Sequence, residues 1–238
     1  MLELLEQSRI LLSLASGLFG LLVGSFLNVV IHRLPIMLMA EWAETANPSS
    51  KSALSLAQPR SFCPHCHQTI AWYDNIPLFS FILLRAKCRH CHTNIHWRYP
   101  LVEALSAGLS MLCAWQFGYS LTLIAALLLS WSLIAQSFID FEHMILPDQI
   151  NLPVLWLGLL FSIADIFCDS HDSIIGAVTG YLSLWSVYQT FKFLTGKEGM
   201  GYGDFKLLAV LGAWLGWQQL ALIIMPVSYT HLTLPTIL

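Results

Sequence analysis

Two of the long stretches in this chain that carry no Asp, Glu, Lys or Arg, residues 10–31 and residues 104–139, constrain the fold more than anything else in it. The first has 22 residues, enough to cross a hydrocarbon layer of about 30 Å as a helix. The second, as one helix, would measure about 54 Å, too long for a single crossing. It is expected to fold as a helical hairpin that turns near Gly118, Tyr119 and Ser120, with Pro100 in the first turn of the leading helix. Composition agrees. The chain is 56% hydrophobic and only 11% charged, with mean hydropathy +0.66, whereas soluble domains carry about 25% charge. An ordinary soluble enzyme, a disordered chain and a nucleic-acid-binding protein are excluded, and six cysteines in 238 residues are too few for a secreted disulfide scaffold.

Further apolar runs follow at 149–168, 173–191 and 207–225, so the sequence predicts an all-α, polytopic membrane bundle with six spans. Four regions are expected: a first span within 1–31, a polar insert over 32–99, a membrane core over 100–225, and a tail from 226 to 238. The insert is net +4 and the remainder net −7. Lys and Arg beside a span mark the cytoplasmic side, so the insert, the 140–148 patch and the Gly-rich 192–204 loop are expected on the cytoplasmic face. Asp165, Asp169 and Asp172 then fall in an exposed outer loop. Glu3 and Glu6 before the first run argue against a cleaved signal peptide.

The insert holds two CxxC pairs, Cys63/Cys66 and Cys88/Cys91. Two such knuckles, separated by 21 residues, suit a four-thiolate zinc site. A closed sulfur shell has no open position, so zinc there is structural. A redox switch and two unconnected pairs are the competing readings. Cys113 and Cys168 lie alone in apolar runs and read as small buried hydrophobes.

Two carboxylates end apolar runs on the predicted cytoplasmic face. Asp140 closes one run; Asp204, after Gly201-Tyr202-Gly203, opens another. Two carboxylates in a low-dielectric site share one proton. One then serves as general base on water while the other, protonated, hydrogen-bonds the carbonyl under attack. Gly201 and Gly203 would let a substrate strand approach the backbone. A helix-end anchor or cap is the competing reading for each Asp, and it is the leading one for Asp148. The GMGYGD run does not follow a strand, which argues against a nucleotide loop. Glu103 is expected to pair with Arg98, and Ser25 and Asn28 to hydrogen-bond between helices.

Five ordered segments resemble the bacterial type IV prepilin peptidase family: GLLVGSFLNVVIHRLP (Gly20–Pro35), the CPHC and CRHC pairs, RYPLVEALSAGL (Arg98–Leu109), FIDFEHMILPD (Phe138–Asp148) and TGKEGMGYGDFKLLAVLGAWLGW (Thr195–Trp217). The resemblance implies a GxGD-type aspartic peptidase of the bacterial inner membrane, its active site facing the cytoplasm. It implies Asp140 and Asp204 as the catalytic pair, with Asp148 supporting. It also implies cleavage of the basic leader of prepilins and pseudopilins, then methylation of the new N-terminus with S-adenosylmethionine. A membrane scaffold that keeps the zinc knuckle without activity is the alternative. At the far end the sequence departs from the family. Pro226 and Pro235 are expected to break the last helix, the stretch from 226 reads as foreign, and the full protein is expected to have eight spans.

Overall fold

The computed structural model describes residues 8–46, 55–58, 60–63, 65–71, 74, 76–197 and 201–233. Among them there are eight helices and no strand, only two isolated β-bridges. The chain divides into two compact units, residues 1–145 and 146–238.

The first unit contains α1 (Arg9–Ala46), the short α2 (Phe79–Leu83), α3 (Arg98–Phe117) and α4 (Leu121–His143). The turn between α3 and α4 lies where the sequence puts it. Gly118 takes φ +62° to end α3, and the Ser120 hydroxyl caps α4 by accepting the Leu123 N–H at 3.2 Å. The first span does not stop at Ile31. α1 continues through Pro35 to Ala46, 38 residues in all. Leu27, Ile31, Leu34 and Leu38 keep one buried face at helical spacing, so packing carries the helix past a proline that removes a single backbone bond. Part of the expected polar insert is therefore helix.

Against α3, α1 packs with little space. A Cβ at Gly20 would come within 2.6 Å of the Ser106 carbonyl oxygen, and one at Gly24 within 2.8 Å of the Glu103 Cα. The Asn28 amide donates to the Tyr99 carbonyl at 3.0 Å, and Ser25 hydrogen-bonds Glu103. Both polar residues thus link α1 to α3, as the sequence suggests.

The second unit contains α5 (Asp148–Ser162), α6 (Ser170–Thr195), α7 (Tyr202–Leu215) and α8 (Trp217–Thr233). The apolar run from 207 to 225 is not one helix. Gly216 takes φ +78° and separates α7 from α8, a backbone state that favours glycine. α8 does not end at Pro226 either; its backbone stays helical to Thr233. Nor is the 192–204 segment all loop, because α7 begins at Tyr202. At the other end of this unit Asp169 caps α6, accepting the Asp172 N–H at 2.7 Å, and Asp172 accepts from Trp217 and Gln218 at the head of α8. This acidic loop is a helix cap and a helix tie.

Among the described residues, two helices are long and apolar enough to cross a membrane, α1 over Arg9–Ala43 and α4 over Leu121–His143. α5 and α7, with 15 and 14 residues, are shorter than the ~20 that a straight crossing needs.

Candidate functional site

Four cysteines form the best-defined cluster. The sulfurs of Cys63, Cys66, Cys88 and Cys91 lie within 4.8 Å of one another, with Cys63 Sγ and Cys91 Sγ 3.8 Å apart. Four sulfurs at the usual Zn–S length of about 2.3 Å in a tetrahedron stand about 3.8 Å apart. The donor set and its spacing therefore fit a tetrahedral thiolate site.

Local folding explains how the sulfurs converge, because the two knuckles are built alike. In the first, the Cys63 N–H bonds the Gln68 carbonyl and the His67 N–H returns to the Cys63 carbonyl. In the second, Cys88 bonds Thr93 and His92 returns to Cys88. His67 and His92 both take φ +56°. Bridges Phe62–Thr69 and Lys87–Asn94 close the two loops. The sequence carries the same repeat: Arg60, Cys63, His65, Cys66, His67 and Ile70 recur 25 positions later as Arg85, Cys88, His90, Cys91, His92 and Ile95. That signal was legible and goes beyond the two CxxC pairs.

Cys91 and Cys66 differ in acidity. The Thr93 hydroxyl and backbone hold Cys91 down to about 6. The Gln68 backbone favours the Cys66 thiolate, but desolvation and the three neighbouring sulfurs push that thiol up to about 11. One sulfur ionises readily and another resists until a cation offsets the charge. Beside the knuckles, Arg89 clasps Asp74 through two hydrogen bonds of 2.8 and 2.5 Å, which hold the Asp74 carboxyl below its ordinary range.

Asp140 lies half-buried in the last turn of α4, where its carbonyl accepts the Met144 N–H that ends the helix. Two residues on, Glu142 forms an ion pair with Arg98, which is buried at the head of α3 and lies over the Tyr99 ring. The expected Arg98–Glu103 pair is not formed. Glu103 instead accepts the Leu78 N–H at 2.8 Å, which ties the insert to α3. One turn before Asp140, Gln136 is 1% exposed, and neither of its amide atoms has a partner among the described residues.

Asp204 lies half-buried in the first turn of α7. Aromatic packing fixes this turn: Tyr202 and Phe205 meet each other and Tyr188 of α6 with ring centres 5.5–5.6 Å apart. The two glycines before Asp204 differ. A Cβ at Gly203 would come within 2.7 Å of Leu146 Cβ, so the close approach it permits is to Leu146. At Gly201 a Cβ would meet nothing nearer than Asp204 Oδ2 at 3.9 Å. Of the two, Gly201 is the one with space beside it among the described residues.

Asp148 does not cap α5. Pro147 occupies that position without a side-chain bond, and both Asp148 oxygens accept from Lys206 Nζ at 2.7 Å. Lys206 had no signal in the sequence, since its partner is 58 residues away. Each candidate aspartate therefore has a paired charge two residues later, Glu142 after Asp140 and Lys206 after Asp204. Two residues turn a helix by about 200°, so each ion pair grips its helix end on the flank away from the aspartate. Asp140 belongs to the first unit, Asp148 and Asp204 to the second.

Comparison with known proteins divides the chain at a different point and places all three aspartates in one segment. The bacterial peptidase A24 N-terminal domain matches residues 18–117, and the type IV leader peptidase family matches residues 126–235. A prepilin leader peptidase/N-methyltransferase of Stutzerimonas stutzeri is 50% identical over 244 residues, covering 99% of this chain and 84% of that protein. One from Aeromonas hydrophila is 53% identical over 216 residues, covering 87% and 74%. One from Pseudomonas aeruginosa is 49% identical over 232 residues, covering 94% and 80%. No solved structure matches.

Proposed function

The chain belongs to the type IV leader peptidase family, and on that premise we propose that it cleaves the basic leader of type IV prepilins and type II secretion pseudopilins, with Asp140 and Asp204 as an aspartyl pair. The observation that carries the reading is local. Each of these carboxylates is half-buried at a helix end that a separate ion pair holds, Arg98–Glu142 for α4 and Asp148–Lys206 for α7. Asp148 is thus a positioning residue that acts through Lys206.

The two helix ends suggest how the pair divides its work. Asp204 lies at the N-terminal, positive end of α7, where negative charge is favoured, and Asp140 at the C-terminal, negative end of α4. Asp204 takes the proton from a water whose oxygen attacks the scissile carbonyl carbon. Asp140 holds the shared proton and hydrogen-bonds the carbonyl oxygen. Collapse of the tetrahedral adduct breaks the C–N bond, and the proton held on Asp204 passes to the leaving amine. Gly201, beside which a Cβ would meet nothing nearer than 3.9 Å among the described residues, would give an extended leader room to lie against the backbone.

The second reaction is methylation of the new N-terminal amine. S-adenosylmethionine, the donor this family membership implies, would supply an electrophilic methyl group. Among the described residues there is no strand-anchored Gly-rich loop to hold it, so the insert and helix ends are the remaining places, and no residue is assigned to it. Zinc on Cys63, Cys66, Cys88 and Cys91 would offset the thiolate charge and clamp the knuckles together. The reading puts the chain in the bacterial inner membrane, six spans and lipid-embedded, with the insert in the cytoplasm.

The test is cleavage of a prepilin by membranes containing the wild-type chain, Asp140→Asn or Asp204→Asn at matched abundance, with mass spectrometry of the product N-terminus. Expected are cleavage and a methylated amine for wild type and no cleavage for either variant. Cleavage by either variant at the wild-type rate overturns the assignment of the pair.

A further inference from the structure

The short α2 is inverted for a soluble setting. Its one buried residue is polar, Ser80 at 7% exposed, while Phe79, Ile82 and Leu83 are 57%, 72% and 65% exposed. A helix that packed its insert against water would do the reverse. Such a pattern places the outward face in an apolar medium.

Its depth is set by a hydrogen bond. Leu78, the residue before α2, donates its N–H to Glu103 on α3. Glu103 lies five residues into α3 from Arg98, about 7 Å along the axis at 1.5 Å per residue. Trp97, 59% exposed at the head of α3, is the kind of residue that marks a membrane–water boundary. Helices that lie in a bilayer interface bury their apolar face about 5–10 Å deep, which matches. Immediately after α2 come Arg85 and Lys87, both exposed. Basic residues beside an interfacial apolar face suit anionic headgroups.

We propose that α2 is an interfacial lipid anchor: Phe79, Ile82 and Leu83 enter the leaflet on the insert's side, and Arg85 and Lys87 meet anionic lipid headgroups. The anchor would hold the Cys knuckles, which begin at Arg85 on this side, at the membrane surface. The inference needs only that the chain is membrane-embedded and is independent of the peptidase reading.

The experiment uses the full chain in vesicles, with Phe79 replaced by 4-trifluoromethylphenylalanine and read by fluorine NMR. The same probe at Phe26, exposed on α1, and at Phe62, exposed on the first knuckle, gives lipid and water references. In phosphatidylglycerol/phosphatidylcholine vesicles, lipid spin-labelled at carbon 5 should broaden away the signal at 79, and a soluble gadolinium chelate should leave it. Broadening by the chelate as at Phe62 overturns the proposal. Protection from both reagents also overturns it, because a protein surface then covers α2. Arg85→Gln with Lys87→Gln should abolish any gain in spin-label broadening on adding phosphatidylglycerol. An unchanged gain removes the headgroup half of the proposal.

Discussion

The two units solve the same packing problem with different materials. All the buried charged residues among those described, Arg33, Arg98 and Glu103, lie in the first unit. Each has a partner at the end where the insert joins, although the buried Arg98 Nε has none among the described residues. Arg33 donates to the Ser55 and Leu56 carbonyls, Arg98 pairs with Glu142, and Glu103 takes the Leu78 N–H. In the second unit the buried polar residues are Asn151, Ser162 and Ser173, and the crossing of α6 and α7 is backbone on backbone. A Cβ at Gly176 would come within 2.2 Å of the Gly212 carbonyl oxygen. The Ser173 hydroxyl reaches the Ala213 carbonyl at 2.5 Å, and Trp214 stacks beside Gly158 while donating to the Val154 carbonyl at 2.8 Å. Small residues that allow such approach are the usual means of association where lipid removes the hydrophobic drive. Close glycine approach occurs in both units, at Gly20 and Gly24 of α1 as at Gly176 of α6, so the first unit is sensitive to charge as well as to volume, and the second to volume.

That contrast can be broken by substitution. Its largest expected effect is in the insert. Cys63→Ser with Cys66→Ser should remove bound zinc, whose ligation stabilises small sites by about 10 kcal/mol or more; metal analysis of the purified protein reads it, and unchanged zinc content would sink the assignment. Acid should do the same to the unaltered protein. In the metal-free site the Cys91 thiol is depressed to about 6, so its thiolate is available to zinc above that pH; because zinc displaces the thiol protons, acid favours release. Zinc release on titration from pH 8 to pH 5, followed with a chromogenic chelator, checks the sign.

Next in size is the buried charge. Glu142→Gln leaves the buried Arg98 without its charged partner; because Glu142 itself is solvent-exposed, stability should fall by about 1–3 kcal/mol, seen as a drop in the thermal midpoint of the detergent-solubilised protein. Gly176→Ala in the second unit should cost about 1–3 kcal/mol through forced separation of α6 and α7. Gly108→Ala, where a Cβ would meet nothing, should be neutral in the same assay. Smallest is Lys206→Met. The Asp148–Lys206 pair is partly exposed and worth about 0–1 kcal/mol, so prepilin cleavage should slow by no more than about fivefold. A loss as large as that of Asp204→Asn would mean that Lys206 touches the substrate.

What the sequence revealed followed from local chemistry. The charge-free runs, the turn at Gly118 and the cysteine spacing each depend on neighbours along the chain, and each has its counterpart in the structure. What it hid depends on partners far away. Glu142 for Arg98 and Lys206 for Asp148 lie 44 and 58 residues off, and Glu103 was the nearer, wrong choice. The end of α1 was misplaced because His32 and Arg33 look like a boundary, while the face that extends the helix stays buried at Leu34 and Leu38. Gly216 splits the last apolar run, although hydropathy passes through it without change. Family and packing also divide the chain differently. All but the first turn of α4 falls within the leader peptidase match that begins at 126, yet α4 packs with α1 and α3 in the first unit. The candidate aspartates thus share a family segment and not a compact unit.

The central claim is that Asp140 and Asp204 act as one device, and a double-variant cycle tests it most directly. The measurement is kcat/KM for prepilin cleavage by wild type, Asp140→Asn, Asp204→Asn and the double variant, at equal abundance in the same membranes. Residues that work as a unit are strongly non-additive, so the account predicts that the double variant is no slower than either single one. Losses that multiply, or a single variant that keeps wild-type kcat/KM, would contradict it.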